Sequence, residues 1–455
     1  MVFLKKFISS NRIVKCNIVQ QYLSIFEIIM KHLIKKYVIL FVAIIWGFTS
    51  EGQLFFRSTL KTNRDKLYQN LVNNSIHKNL SVTLSDSTEE DWQGAFYALE
   101  LIRYQSPWVN SRIDSAALMM NTLSVSFQRA ALEMLYSNYP EKYYQQVKYL
   151  LMGTSDAKIF AMCAAYILNS SKANEDLSFL KVKTQQQLAL QPNHPILEQL
   201  QFQLQTHAQS LNVPDISLLL QADYLKGHNI VFSFQRKNRN FPGLVLVRKG
   251  DGTFIRDSSS GLPFTVPQLA RSINNLPGYI TNGNTPEGIF RMKGYDVSTN
   301  GFIGPTANVQ LTMPFEKSAG HFTADENNKD TVWDIRYYKN LLPAPLQNYY
   351  PLLQSYYAGK AGRTEIIIHG TTVNPAYYRQ QPYYPLTPTM GCLTSKEIWD
   401  ETTGRRAESD QQKIIQALIA AGGADGYTIV VNMDDEQRSV LLADMLPLLT
   451  KAGQK

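Results

Sequence analysis

Apolar side chains follow two different rhythms along the chain. Phe160, Cys163, Ala164 and Ile167 recur at i, i+3, i+4 and i+7, which marks one apolar face of a helix. Residues 127–136 repeat that spacing, and Pro140 separates them from a second helical run over 143–151. Tight turns punctuate the runs, at Asn138-Tyr139-Pro140 and Gly153-Thr154-Ser155-Asp156. Short helices joined this way predict an all-α domain over residues 53–226, built of solenoid-like helix pairs, although no strict repeat consensus is visible. Cys163 lies on the apolar face and reads as a packed small hydrophobe.

Past Gly227 the rhythm shortens. Residues 230–235 and 244–247 are β-rich, and Asp251-Gly252 ahead of Thr253-Phe254-Ile255 is a hairpin signal. Further short strands are predicted at 288–292, 309–313 and 364–369, with a final one at 427–432. After Cys392 a helix is expected; Ser409 with Gln412 three residues on forms a capping box before Ile414-Ile415 and Leu418-Ile419. Residues 227–436 therefore read as a mainly β (α+β) domain, and 437–455 as a C-terminal helix or tail. The fold class is multidomain.

Charge changes the picture at one end only. The 455-residue chain carries a formal net charge of +8. From Met30 onward, Lys31, Lys35 and Lys36 precede an apolar run over 37–48 and a small, polar exit at Thr49-Ser50-Glu51-Gly52. That order is the layout of a secretory signal peptide over 30–52, and the run is too short for a membrane span of about 20 residues. Residues 1–29 then read as an over-extended start. Residues 1–52 hold seven Lys/Arg and two Glu, so they account for +5 of the +8. With no basic stripe elsewhere, a nucleic-acid partner is not expected. No stable membrane span is expected once the leader is removed, and the placement is exported, periplasmic or associated with the cell envelope.

Only three cysteines are present, which excludes a disulfide scaffold and a multi-cysteine zinc module. No Cys or His cluster stands at ligand spacing, so neither metal nor cofactor is expected. One pairing does carry chemistry. Residues 364–369 form a β-branched run delivering His369 to a strand end at Gly370, and Thr389-Met390-Gly391-Cys392 follows, its cysteine 23 residues after the histidine. A glycine before a cysteine permits close backbone approach, and a thiol with an imidazole in reach can perform acyl transfer. Spacing alone leaves open a buried structural cysteine and a strand-end histidine used for packing.

These residues resemble the L,D-transpeptidase catalytic-domain family, whose hallmark is a strand ending in His-Gly, a variable loop, then Ser/Thr-His-Gly-Cys. His369-Gly370 match the first part, and Thr389, Gly391 and Cys392 the second. An upstream hallmark, Thr-Pro-x-Gly before an aromatic and a β-rich run, appears as Thr285-Pro286-Glu287-Gly288-Ile289-Phe290. The resemblance covers roughly residues 228–436. Met390 stands where the family usually has its second histidine, and Thr394 where Asn or Arg is usual.

The resemblance implies an exported cysteine acyltransferase acting on peptidoglycan stem peptides. Cys392 would be the nucleophile, His369 the general base and acid, and the Gly370 carbonyl the group that orients the imidazole. The backbone N–H of Gly391, with that of Cys392, would receive the oxyanion. Thr389, Met390 and Thr394, the loop tyrosines Tyr377, Tyr378, Tyr383 and Tyr384, and Arg405 with its neighbour Arg406 are candidates for substrate contact. Two alternatives use the same motifs: an L,D-carboxypeptidase or endopeptidase, and a catalytically silent peptidoglycan-binding protein. The helical domain is a candidate platform for a protein partner.

Overall fold

The computed structural model describes residues 54–207, 213–325 and 332–454. The expected leader over 30–52 and the stretch 1–29 lie outside them. From Phe55 onward the chain forms one compact unit. Its first part is helical: α1 Lys61–Asn70, α2 Glu89–Ile102, α3 Pro107–Met119, α4 Val125–Asn138, α5 Tyr144–Gly153, α6 Ala157–Leu168, α7 Ala173–Leu190 and α8 Pro195–Thr206. The starts are written in the sequence. Ser106, Ser124 and Asp156 each accept a backbone N–H with their side chains at the N-caps, and Pro107 and Pro195 open their helices. Helix α4 packs against α2 and α6, and α6 packs against α5, α7 and α8. Cys163, fully buried on α6, has its thiol pushed far up by burial and serves only to fill the core.

The second part is a closed eight-stranded barrel in the order β1-β10-β4-β5-β6-β7-β3-β2. Its strands are β1 Asn229–Gln235, β2 Gly243–Arg248, β3 Val266–Leu269, β4 Gly288–Asp296, β5 Asn308–Thr312, β6 Ile367–His369, β7 Leu393–Ser395 and β10 Asp425–Asn432. A two-stranded sheet, β8 Glu397–Trp399 with β9 Arg406–Ser409, lies outside the barrel. The helix expected soon after Cys392 begins only at Asp410, as α9 Asp410–Ala421, because β7, β8 and β9 come first. Its cap is the one read from sequence, with Ser409 Oγ accepting from Gln412 N at 2.9 Å. The tail forms α10 Leu442–Lys451.

Period-two alternation divides the strand side chains between two cores. Val231, Val245, Phe290, Val309, Ile368 and Leu393 pack with Ile414, Ile415 and Leu418 of α9. Phe232, Phe234, Leu246, Tyr427 and Ile429 pack on the other face with Met445 and Leu449 of α10. The helical and β parts also share a core. Leu276, Tyr279 and Ile280, from the loop after β3, are buried among the residues of α2 to α8. That loop ends at Thr285, on the doorstep of the cysteine.

Candidate active site

Strand β6 is shorter than its sequence suggests. Glu365 sits at φ 62, a left-handed conformation that breaks extension, so pairing starts only at Ile367. It ends where Gly370 runs against Glu397; a Cβ there would lie 2.2 Å from the Glu397 carboxylate. Glu397 is buried and accepts from the Thr371 N–H (3.1 Å) and from the hydroxyls of Thr306 and Ser409 (2.6 Å each), with Arg406 at 3.6 Å. The turn leaving His369 is thereby pinned by a carboxylate on β8.

His369 is buried, and its Nδ1–H donates to the carbonyl of Gly370. A carbonyl only accepts, so this bond assigns the ring proton to Nδ1 and leaves the Nε2 lone pair available. Burial pushes the imidazole down to about 4, which keeps it neutral at pH 7.

Strands β6 and β7 run parallel, with Ile368 beside Leu393 and His369 beside Thr394. Cys392 directly precedes β7, one residue before Leu393, so extending the strand alternation one step back places it on the face of His369 and Thr394, opposite the face that Ile368 and Leu393 bury against α9.

The backbone into Cys392 is tightly held. Gly391 sits at φ +115, and a Cβ on it would lie 2.1 Å from Arg363 Nη2 and 2.6 Å from the Gly283 carbonyl. Thr389 Oγ1 accepts from Gly391 N (3.0 Å) and donates to the Cys392 carbonyl (2.9 Å), while Thr285 Oγ1 donates to the Gly391 carbonyl (2.9 Å). The Gly391 amide, expected to face an oxyanion, is thus occupied by Thr389 in this conformation. The half-buried thiol donates to the carbonyl of Glu365 at 3.6 Å rather than to His369. Burial pushes that thiol up; the Ile367 amide and Arg363 pull against this, and the Glu365 carboxylate adds to it. Cysteine and histidine are accordingly both neutral at rest.

Arg363 was not visible as a site residue. Its buried guanidinium donates to the carbonyls of Gly283 (2.7 Å), Asn284 (2.8 Å) and Ile280 (3.2 Å) and to that of Gly278. It touches Gly391 and ties the loop 278–284 to the cysteine turn. It lies immediately before the β-branched run and belongs to no motif, so nothing in the sequence marks it.

The expected substrate contacts divide. Met390 and Tyr384 are exposed near the cysteine turn and its preceding loop. Thr394, by contrast, is fully buried and donates to the Thr387 carbonyl at 2.8 Å, so it faces no ligand. Tyr378 and Tyr383 are buried with Leu269 and Leu386; Tyr378 donates to the Leu101 carbonyl of α2 (2.9 Å), and Tyr383 stacks under Arg271. Tyr377 is half-buried against Tyr68. Three of the four tyrosines therefore fasten the loop to its surroundings instead of standing free for substrate contact. Arg405 is exposed in the turn between β8 and β9, its N–H donating to Thr403 Oγ1, while Arg406 reaches Thr306 and Glu397.

Among the described residues no group of three His, Cys, Asp or Glu side chains could hold a metal ion, and no helix is long and apolar enough to cross a membrane. No family model, curated protein or solved structure matches the chain.

Proposed function

We propose that the chain is an exported cysteine acyltransferase of the L,D-transpeptidase kind, acting on peptidoglycan stem peptides. One observation carries the reading: β6, which ends at His369, pairs in parallel with β7, which starts directly after Cys392, and the Gly370 carbonyl fixes the imidazole as an Nε2 base. The three motifs found in order along the chain support it independently.

In this mechanism the starting pair is neutral. The thiol leaves the Glu365 carbonyl, and His369 Nε2 takes its proton as sulfur attacks the carbonyl between the third and fourth stem residues. The negative charge reaches the carbonyl oxygen, where the Cys392 amide is one donor. The Gly391 amide becomes a second by exchanging Thr389 Oγ1 for the oxyanion; one such donor lowers a barrier by about 3 kcal/mol. The imidazolium then protonates the departing amine, and the C–N bond breaks to leave a thioester on Cys392. An amine from a second stem releases it as a cross-link, and water releases it as a shortened peptide. Hydrolase and transferase outcomes thus share every step up to the thioester.

The silent, wall-binding alternative is favoured by one observation, the thiol bonded to Glu365 and not to the imidazole. Incubating the full chain and its Cys392→Ala variant with stem tetrapeptides separates the readings. Cross-linked dimer supports transpeptidation, shortened peptide supports the hydrolase, and identical product traces from both proteins support the silent protein.

A further inference from the structure

A cavity of about 610 Å³ lies where α8 meets the barrel; its lining includes Gln203, Lys237, Arg239, Thr285, Glu287 and Asn432. Arg239 is 5% exposed, yet its Nη1 has no hydrogen-bond partner, and its Nη2 makes only a long 3.4 Å contact with the Thr285 carbonyl. Among the described residues it forms no ion pair. A buried guanidinium without a counter-ion is costly, and proteins keep such a group where something pairs with it.

Glu287, the carboxylate whose charge Arg239 feels, forms no ion pair with it. Glu287 is fully enclosed, and its oxygens are already held by Asn432, from N at 3.1 Å and from Nδ2 at 2.8 Å. Burial pushes it up to about 7, so near neutral pH it is only partly charged. At the cavity mouth Lys237 is exposed and likewise forms no ion pair among the described residues.

We infer that this cavity binds a carboxylate, drawn by the unpaired charge of Arg239 in its wall with Lys237 at the entrance. The planar fork of arginine matches a carboxylate in two parallel hydrogen bonds. A phosphate dianion suits it less, because Glu287 and Asp435 also line the space. The carboxylate could be that of a small free acid or of a peptide C-terminus. The inference does not rest on the reactivity of Cys392.

Calorimetric titration of the full chain with N-acetyl-alanine, its C-terminal amide and sodium acetate tests this. The acid is expected to bind at least about tenfold more tightly than the amide, the weight of a charged hydrogen-bonded contact. Acetate binding as tightly as the acid identifies a small free acid as the source; acetate binding weakly identifies a peptide terminus. Arg239→Met is expected to abolish acid binding. Should that variant not fold, Lys237→Ala, at the surface, is expected to weaken the acid and leave the amide unchanged. Equal binding of acid and amide, no binding of any probe, or undiminished acid binding by a folded variant would overturn the proposal.

Discussion

Replacing Gly391 with alanine tests whether the turn before Cys392 is held as tightly as its contacts imply. Two costs are present. The first is conformational: a φ of +115 is unfavourable for any L side chain, by about 1–3 kcal/mol. The second is steric, since the new Cβ would lie 2.1 Å from Arg363 Nη2 and 2.6 Å from the Gly283 carbonyl. Relief requires the guanidinium to move, which sacrifices its 2.7 Å bond to Gly283 and strains the 2.8 Å bond to Asn284. At about 1.5–3 kcal/mol for each charged, buried hydrogen bond, the steric part is about 3 kcal/mol or more. Gly423 supplies a matched control: its φ is +116, and nothing lies within 4 Å of the Cβ position. Gly423→Ala should therefore show the conformational cost alone. Guanidinium denaturation of both variants measures the difference, and the alkylation rate of Cys392 reports the local effect. The expected result is a Gly391→Ala protein less stable than Gly423→Ala by about 3 kcal/mol, with a more exposed thiol. Equal midpoints and equal alkylation would refute the clasp.

Three further outcomes follow from the same contacts. The imidazole of His369 is lowered from 6.5 to about 4 in the folded state, so the unfolded chain binds its proton more readily between those values. Its contribution to stability is complete above about pH 6.5 and declines by about 2–3 kcal/mol as pH falls toward 4.5; denaturation at both pH values should show this slope in the parent and lose it in His369→Gln. Glu397→Ala strands the Thr371 amide and the Thr306 and Ser409 hydroxyls around an empty site, so a loss of about 3–5 kcal/mol is expected by thermal or chemical denaturation, and a neutral effect would contradict the pinning of the His369 turn. Tyr378→Phe removes only the hydroxyl bonded to the Leu101 carbonyl, so it should cost about 1 kcal/mol of stability while leaving turnover unchanged; a selective loss of turnover would restore the tyrosine to the substrate side.

Much of the architecture was legible because it depends on local rules. Phe160, Cys163, Ala164 and Ile167 are buried in α6, although that helix is buried on every side rather than on one face, and the Ser409 cap is made as its spacing implies. Strands β1, β2 and β10 were visible as β-branched runs, since parallel and central strands are buried on both faces. What long-range contacts decide was not legible. The shortening of β6 follows from Glu365 being forced left-handed before it. The sharing of a core between Tyr279 and the helices depends on where the loop after β3 folds back. Buried polar groups were hidden for the same reason: Arg363, Glu397 and Arg239 earn no motif, and only the folded chain shows what surrounds them. Conversely, a run of tyrosines resembles a binding loop in sequence, while Tyr378 and Tyr383 are core residues.

The central claim is that Cys392 carries an acyl group. Intact-mass measurement of the full chain, quenched during incubation with a stem tetrapeptide, reads this directly. The account predicts an added mass equal to the tripeptide acyl group, mapped to Cys392, lost in Cys392→Ala and formed much more slowly in His369→Gln. Absence of any adduct while the folded protein binds the peptide, or an adduct that persists in Cys392→Ala, would contradict it.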